Sequence, residues 1–320
     1  NVFRYDEPRV SHYREFYQAG VELIGLEKPE AEVEIIAMAV EGLRALASAT
    51  DAAARQARPG RSGVAAIGIA QEFQWAGPLR GRALVEMGET DLGLRVLASG
   101  DFLGGARFGD APGVAAERVK GWLERAVALG SPILRVTSGF YRADLATTPG
   151  AIEAERRWVI DALLASLAGA RDAGVTLALE NHSDFTEAEY RSIFEAVDDD
   201  HARVFLDVIN PVAALEDPLP VVKELAPFSV AGHVKDFELE SIQTEGGYHR
   251  RGFSVLYRYP GEGIADLPGI WSALAEGLHG RDLPLAVEGL DNRADVRDQV
   301  ERLRASFERL RALVPAPARA

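Results

Sequence analysis

The chain has 320 residues, 47% of them hydrophobic and 26% charged, a balance that supports a packed apolar core and excludes a disordered chain. A formal net charge of −14 repels phosphate backbones and anionic lipid surfaces, so neither nucleic acid nor membrane is expected as a partner. Cysteine is absent, which removes disulfides, thiolate metal sites and a cysteine nucleophile, and leaves His and carboxylates to hold any metal.

In chain order, VELIGL (21–26) reads as a strand and 29–48 as a helix, with Pro29 at a tolerated first-turn position. The small-residue and Arg/Gly/Pro stretch 50–63 reads as a linker. Strands follow at 64–70 (VAAIGIA) and 94–99 (LRVLAS), with helices near 78–88 and 114–129. From residue 131 onward, nearly continuous apolar runs at 133–138, 175–180, 203–208, 230–235 and 284–288 alternate with amphipathic stretches at 152–172, 186–197, 218–226, 267–278 and 293–313. Gly174 and Gly280 stand where helices should stop.

This alternation is that of successive βα units and predicts an α/β fold, a TIM (β/α)8 barrel, which commonly takes about 250 residues. The expected organisation is a helix-strand-helix segment at 1–50, a linker at 51–63 and the barrel at 64–314, with the first βα unit supplied by the N-terminal segment. The stretch 238–259 exceeds a usual βα connection and reads as a lid loop bearing His249, Arg250 and Arg251, with Arg251 a candidate anchor for a polar or anionic substrate end. No run approaches the roughly 20 apolar residues of a membrane span, and no leader pattern opens the sequence, so a cytoplasmic location is expected.

In a parallel barrel the C-terminal strand ends face one mouth, so polar residues there converge although they are distant in sequence. Glu180, Asp207, His233 and Glu288 all stand at such ends, each after apolar residues of its strand. A single carboxylate there is ordinarily a helix cap, but four polar residues at successive ends are not explained that way. Three converging carboxylates repel one another unless a cation neutralises them, and an imidazole completes a mixed O/N ligand set. Such a set suits one divalent ion, Mn²⁺ or Mg²⁺ on hardness, with Zn²⁺ and Co²⁺ also accommodated by the imidazole. His182, two residues past Glu180, is a candidate substrate ligand or base. Lys235 follows His233 by two residues, so strand alternation sends both inward, either to a substrate oxygen or to a site carboxylate. Arg135 lies inside its strand and is either a site residue or part of a barrel-layer salt bridge.

The phrases LALENHSDFT (177–186), FLDVINPVAALEDPL (205–219), GHVKDF (232–237), YPGEGIADLPGIWSAL (259–274) and LAVEGL (285–290) resemble, in order, the ligand-bearing strand ends and loops of the xylose-isomerase-like barrel superfamily of sugar isomerases and epimerases. The resemblance implies that Glu180, Asp207, His233 and Glu288 are metal ligands and that Glu180 and Glu288 also exchange the substrate's proton. It implies a small-molecule carbohydrate substrate, and it leaves homo-oligomerisation open. Asn210 occupies a position where several epimerases of the superfamily carry a histidine that contacts substrate or metal, and it is the candidate substrate contact there. That departure keeps a lyase, a dehydratase or a C-glycoside-cleaving enzyme acting on an oxidised sugar open beside isomerase and epimerase. The DNA-repair branch of the superfamily uses a histidine-rich three-metal site, for which six histidines with only His233 and His182 well placed are a poor match.

Residues 2–48 resemble something else. VFRYDEPRVSHYREFYQAGVELIG matches motif 2 of histidyl-tRNA synthetases, with Arg4 at the position of the ATP-phosphate arginine and Tyr13, Arg14, Glu15 and Phe16 matching the motif's second half. Motif 1, motif 3 and the histidine-binding segments have no counterpart, so no working synthetase is expected. A non-catalytic accessory protein that binds tRNA or protein through this segment is the alternative from outside enzymology, and acidic charge opposes its tRNA form.

Overall fold

The computed structural model describes residues 103–128, 130–242, 252–288 and 296–313, together with the strands at 2–3, 15–16, 67–72, 84–90 and 93–102. The expected strand at 21–26, helix at 29–48, linker at 51–63 and Arg251 lie outside the described residues. In chain order the strands are Val2–Phe3 (β1), Glu15–Phe16 (β2), Ile67–Glu72 (β3), Leu84–Thr90 (β4), Gly93–Phe102 (β5), Ile133–Thr137 (β6), Thr176–Glu180 (β7), Ala202–Asp207 (β8), Ser229–Val234 (β9), Asp236–Ile242 (β10), Gly252–Arg258 (β11) and Leu285–Glu288 (β12). The helices are Pro112–Ala128 (α1), Arg142–Leu145 (α2), Ala151–Ala173 (α3), Glu187–Val197 (α4), Pro218–Leu225 (α5), Leu267–Leu278 (α6) and Val296–Leu313 (α7).

Among the described residues, eight strands close a barrel in the order β12-β3-β4-β5-β6-β7-β8-β9. Neighbours from β5 through β9 to β12 and on to β3 pair in parallel, whereas β4 is antiparallel to both β3 and β5. This corrects two expectations. The helix anticipated near 78–88 is a strand from residue 84, where Val85, Met87 and Glu89 alternate with Glu86, Gly88 and Thr90, and a mid-segment glycine weakens a helix by about 1 kcal/mol relative to alanine. The ring also closes without 21–26, because 84–90 takes the eighth place. Outside the barrel, β1 pairs with β2 and β10 with β11, both antiparallel. The second pair is a hairpin where a long loop was expected; its aromatic and β-branched residues Phe237, Phe253, Val255 and Tyr257 favour strand.

Alternation along the strands sorts side chains into an outer and an inner set. Leu134, Val136, Leu177, Leu179, Val204, Leu206, Val234, Leu285 and Val287 join the main core with helix residues such as Val119, Leu163, Ile193, Val222 and Leu274. Ile133, Ala178, Phe205 and Ala231 form a separate buried cluster, the floor of the barrel interior. Local signals set the connections. Gly174 ends α3 with φ 63° and Asp217 caps α5 through the Leu219 N–H at 3.0 Å. Gly232 lets β9 approach β8 so closely that a Cβ there would lie 2.2 Å from the Leu206 carbonyl oxygen. No helix among the described residues is long and apolar enough to cross a membrane.

Candidate metal centre

Two residues beyond Ile133, Ala178, Phe205 and Ala231 on their strands stand Arg135, Glu180, Asp207 and His233, and all four are buried. The same two-residue step that makes the floor therefore makes the site. Register places Asp207 directly beside His233, and the strand order β7-β8-β9-β12 sets Glu180 and Glu288 at the two ends of the arc with Asp207 and His233 between them. His233 Nδ1 lies 3.5 Å from Glu180 Oε1, 3.8 Å from Asp207 Oδ2 and 3.8 Å from Glu288 Oε1. Phe205 closes the floor with its ring 4.7 Å from the His233 ring, edge to face.

Each ligand candidate is held from behind. Asp207 Oδ1 accepts the N–H groups of Ile209 (2.9 Å) and Asn210 (2.8 Å), which leaves Oδ2 to face the centre. Asn181 clamps the Asp207 backbone, accepting its N–H at 2.6 Å and donating to its carbonyl at 2.8 Å. Glu180 Oε2 takes the Arg135 guanidinium, so Arg135 is the buried ion-pair partner of that carboxylate. Lys235 Nζ bridges Asp207 Oδ2 (2.8 Å) and Glu288 Oε2 (2.6 Å), so alternation does send it inward, onto carboxylates.

These cations set the charge states. Burial pushes the Glu180 carboxyl up, but Arg135, His233 and His182 together hold it well below the usual carboxylate range. Burial raises Glu288 as well, and Lys235 and His233 bring it down to about 2. Asp207 is raised, chiefly by burial and with the other carboxylates adding to it, against the opposing pull of Lys235. Burial would lower the Lys235 ammonium, yet Asp207 and Glu288 raise it above the ordinary lysine value. Both glutamates are thus ionised at neutral pH, and Glu288, whose side chain is 18% exposed, is the one of the four open to the mouth.

The remaining sequence candidates divide. Asn210 is buried, with Nδ2 3.4 Å from Glu180 Oε1 and Oδ1 accepting from Tyr257 at 3.0 Å. His182 is half-buried at the rim with its ring 5.3 Å from that of Tyr141, outside the cluster of four. Sequence reasoning missed several residues. Asn181 sits next to Glu180 and could have been noticed as a polar residue at a buried strand end. Tyr257 carried no strand-end signal because it comes from the hairpin. Asp236 accepts the N–H groups of Gly261 (2.9 Å), Gly263 (3.0 Å) and Ala265 (2.9 Å), fixing the PGEG loop beside the site. Asp184, also buried, receives Ser138 and Tyr190 hydroxyls, and Tyr190 reaches the Glu180 carbonyl at 2.8 Å.

The donor set fits a divalent cation. Ligand atoms of Glu180, Asp207 and His233 all lie within 4.8 Å of one another, and the 3.5–3.8 Å separations around His233 Nδ1 are those of ligands that each reach about 2.1 Å to a shared ion. Among the described residues, three ionisable carboxylates face two buried cations, Arg135 and Lys235, so negative charge is in excess at the centre. Glu288 contacts the cluster at 3.8 Å from His233 and is otherwise held by Lys235.

Comparison with known proteins divides the chain in two. Residues 1–54 match the histidyl-tRNA synthetase family. Histidine–tRNA ligase of Pyrococcus horikoshii is 63% identical over 41 residues, 13% of this chain and 10% of that protein. An ATP phosphoribosyltransferase regulatory subunit of Thermoanaerobacter sp. is 54% identical over 46 residues, 14% of this chain and 12% of that protein. The chain thus spans about a tenth of the length of the curated relatives it matches. Among solved structures, the IOLI protein with a bound zinc atom superposes with a TM-score of 0.51 at 18% identity, over 66% of this chain and 75% of that one. The 3-keto-D-glucoside 4-epimerase YcjR from E. coli gives 0.47 at 20%, over 62% and 70%. The probable 3-DHS dehydratase AsbF from Bacillus anthracis gives 0.44 at 16%, over 62% and 69%. The first of these is a likeness of fold. The family described as xylose isomerase-like TIM barrel matches residues 82–313, a span that takes in every strand end of the candidate centre, and the chain belongs to that family.

Proposed function

We propose that the chain is a metal-dependent enzyme that isomerises or epimerises a sugar or sugar derivative by proton transfer through an enediolate. The observation that carries this reading is the arc itself: two ionised glutamates at opposite ends, with Asp207 and His233 between them. Glu180, Asp207, His233 and Glu288 would hold the ion, with Mn²⁺ or Mg²⁺ favoured by the carboxylates. When bound, the ion supplies Lewis-acid polarisation of a carbonyl and its neighbouring hydroxyl, which acidifies the C–H between them. One ionised glutamate would accept that proton, and the other, after taking up a proton from solvent at the mouth, would return it to the carbon's opposite face, the first then losing its proton to solvent to restore the resting state. Arg135 and Lys235 keep the glutamates charged, and with Asn210 and His182 they offer donors to substrate hydroxyls. The domain reading that accompanies this places the barrel at 64–314, a synthetase-like segment at 1–50 and a linker at 51–63; pairing of β3 with β12 supports a barrel that begins before residue 82.

Asn210 favours a second reading. With a neutral amide facing Glu180, the same proton abstraction can proceed to loss of a β-substituent, which makes the enzyme a lyase or dehydratase on an oxidised sugar. Metal analysis of the purified protein followed by a screen of ketoses, aldoses and 3-oxo-glycosides in D₂O tests both readings. Deuterium at the carbon next to the carbonyl with retained carbon skeleton marks the first, and an unsaturated or cleaved product the second. Full turnover by Glu180→Gln and Glu288→Gln, or by protein stripped with a chelator, contradicts both.

A further inference from the structure

Among the described residues of the hairpin outside the barrel, Tyr257 contacts Asn210 and Lys235 of the candidate centre. Its hydroxyl donates to Asn210 Oδ1 at 3.0 Å, and the Lys235 ammonium lies 4.1 Å from its ring centroid. Asn210 in turn faces Glu180 Oε1 with Nδ2 at 3.4 Å. An ionised carboxylate only accepts, so the amide must show its NH₂ to Glu180 and its oxygen to Tyr257. The Tyr257 hydroxyl therefore stabilises the one amide orientation that gives Glu180 Oε1 a donor, while Oε2 is taken by Arg135.

The base of the hairpin is fixed enough for this task. Tyr257 pairs with Phe237, and Asp236 with Arg258 in the adjacent position. Arg258 donates to the Tyr257 carbonyl at 2.8 Å and pairs with Glu238, and Asp236 is locked by three N–H groups of the 261–265 loop. Phe237 and Tyr257 both pack against the main core.

We infer that Tyr257 is a positioning residue for the Glu180 carboxylate and acts through Asn210, an inference that rests on the metal-dependent proton transfer proposed above. Tyr257→Phe removes the hydroxyl and keeps the ring over Lys235. The experiment is a double-variant cycle of Tyr257→Phe and Asn210→Ala, read by Mn²⁺ titration of chelator-stripped protein, by kcat and KM, and by thermal midpoint. Tyr257→Phe should lower kcat about tenfold and weaken Mn²⁺ about threefold while KM changes less than twofold, and both effects should vanish when Asn210 is already alanine. A loss of packing alone would instead lower the midpoint and add to the Asn210→Ala effect. Wild-type affinities and kcat in Tyr257→Phe, or additive effects in the double variant, overturn the inference while the metal reading stands. Absence of binding of Mn²⁺, Mg²⁺, Zn²⁺ and Co²⁺ alike by the wild type overturns both.

Discussion

Lys235→Met is the most informative single change, because Lys235 and the proposed ion claim the same carboxylates. Its ammonium lies 2.8 Å from Asp207 Oδ2 and 2.6 Å from Glu288 Oε2. At an effective dielectric of about 20, each contact is worth roughly 6 kcal/mol of attraction. Desolvation of the buried ions offsets most of this, and removing one partner of such a cluster costs about 3–5 kcal/mol because the others stay buried and uncompensated. At roughly 2–4 °C per kcal/mol for a barrel of this size, the metal-free variant should melt about 6–20 °C below the wild type. A divalent ion supplies the missing positive charge and no longer faces a neighbouring ammonium. With saturating Mn²⁺ the two midpoints should therefore converge to within about 3 °C, and because closing roughly 2–4 kcal/mol of that deficit takes an equal gain in binding free energy, the variant should bind Mn²⁺ about 30- to 1,000-fold more tightly. Differential scanning fluorimetry with and without Mn²⁺, together with calorimetric titration, measures both. An equal deficit with and without the ion, or weaker Mn²⁺ binding by the variant, refutes the idea that Lys235 and the ion share their ligands.

Phe205→Ala opens the barrel floor beneath His233; the ring is fully buried, so urea unfolding should show a loss of about 3–5 kcal/mol, and a loss under 1 kcal/mol would mean the floor is packed otherwise. Asp184 gives a pH prediction. Burial raises its native carboxyl, more strongly than the Ser138, Tyr190 and Phe185 hydrogen bonds lower it. A raised native pKa means the folded state binds the proton more tightly. The resulting stability is complete below the unfolded value of about 3.9 and is lost as pH climbs through the native one. Asp184→Asn removes this dependence, so the stability of wild type relative to variant should fall with rising pH across that window and then level off. A difference that rises with pH contradicts the assignment.

Much of the barrel was legible because its signals are local. The runs at 133–138, 175–180, 203–208, 230–235 and 284–288 are strands because short apolar, β-branched segments between helical periods have few other uses, and all five appear within a residue or so of their expected bounds. Where the period was mixed the reading failed. At 84–90 helix-forming Leu, Glu and Met masked a two-residue alternation, and at 238–259 the length of the connection suggested a lid although its flanks alternate as strands.

The candidate centre was legible to the same depth. Residues at strand ends announce themselves, since the fold alone brings them to one face. Their partners do not, because nothing in sequence links Arg135 to Glu180, 45 residues away, or Lys235 to Glu288, 53 away. Those pairings depend on which strands become neighbours, and neighbourhood here includes a reversed strand and an added hairpin. The consequence is chemical. Strand-end carboxylates alone describe a cluster of unspecified charge state, whereas the buried guanidinium and ammonium keep both glutamates ionised at the two ends of the arc, the state that the proposed proton transfer requires of its acceptor. At the Glu180 end the arrangement is completed by Asn210 and by a hairpin tyrosine that donates to it, a residue with no strand-end signal in the sequence.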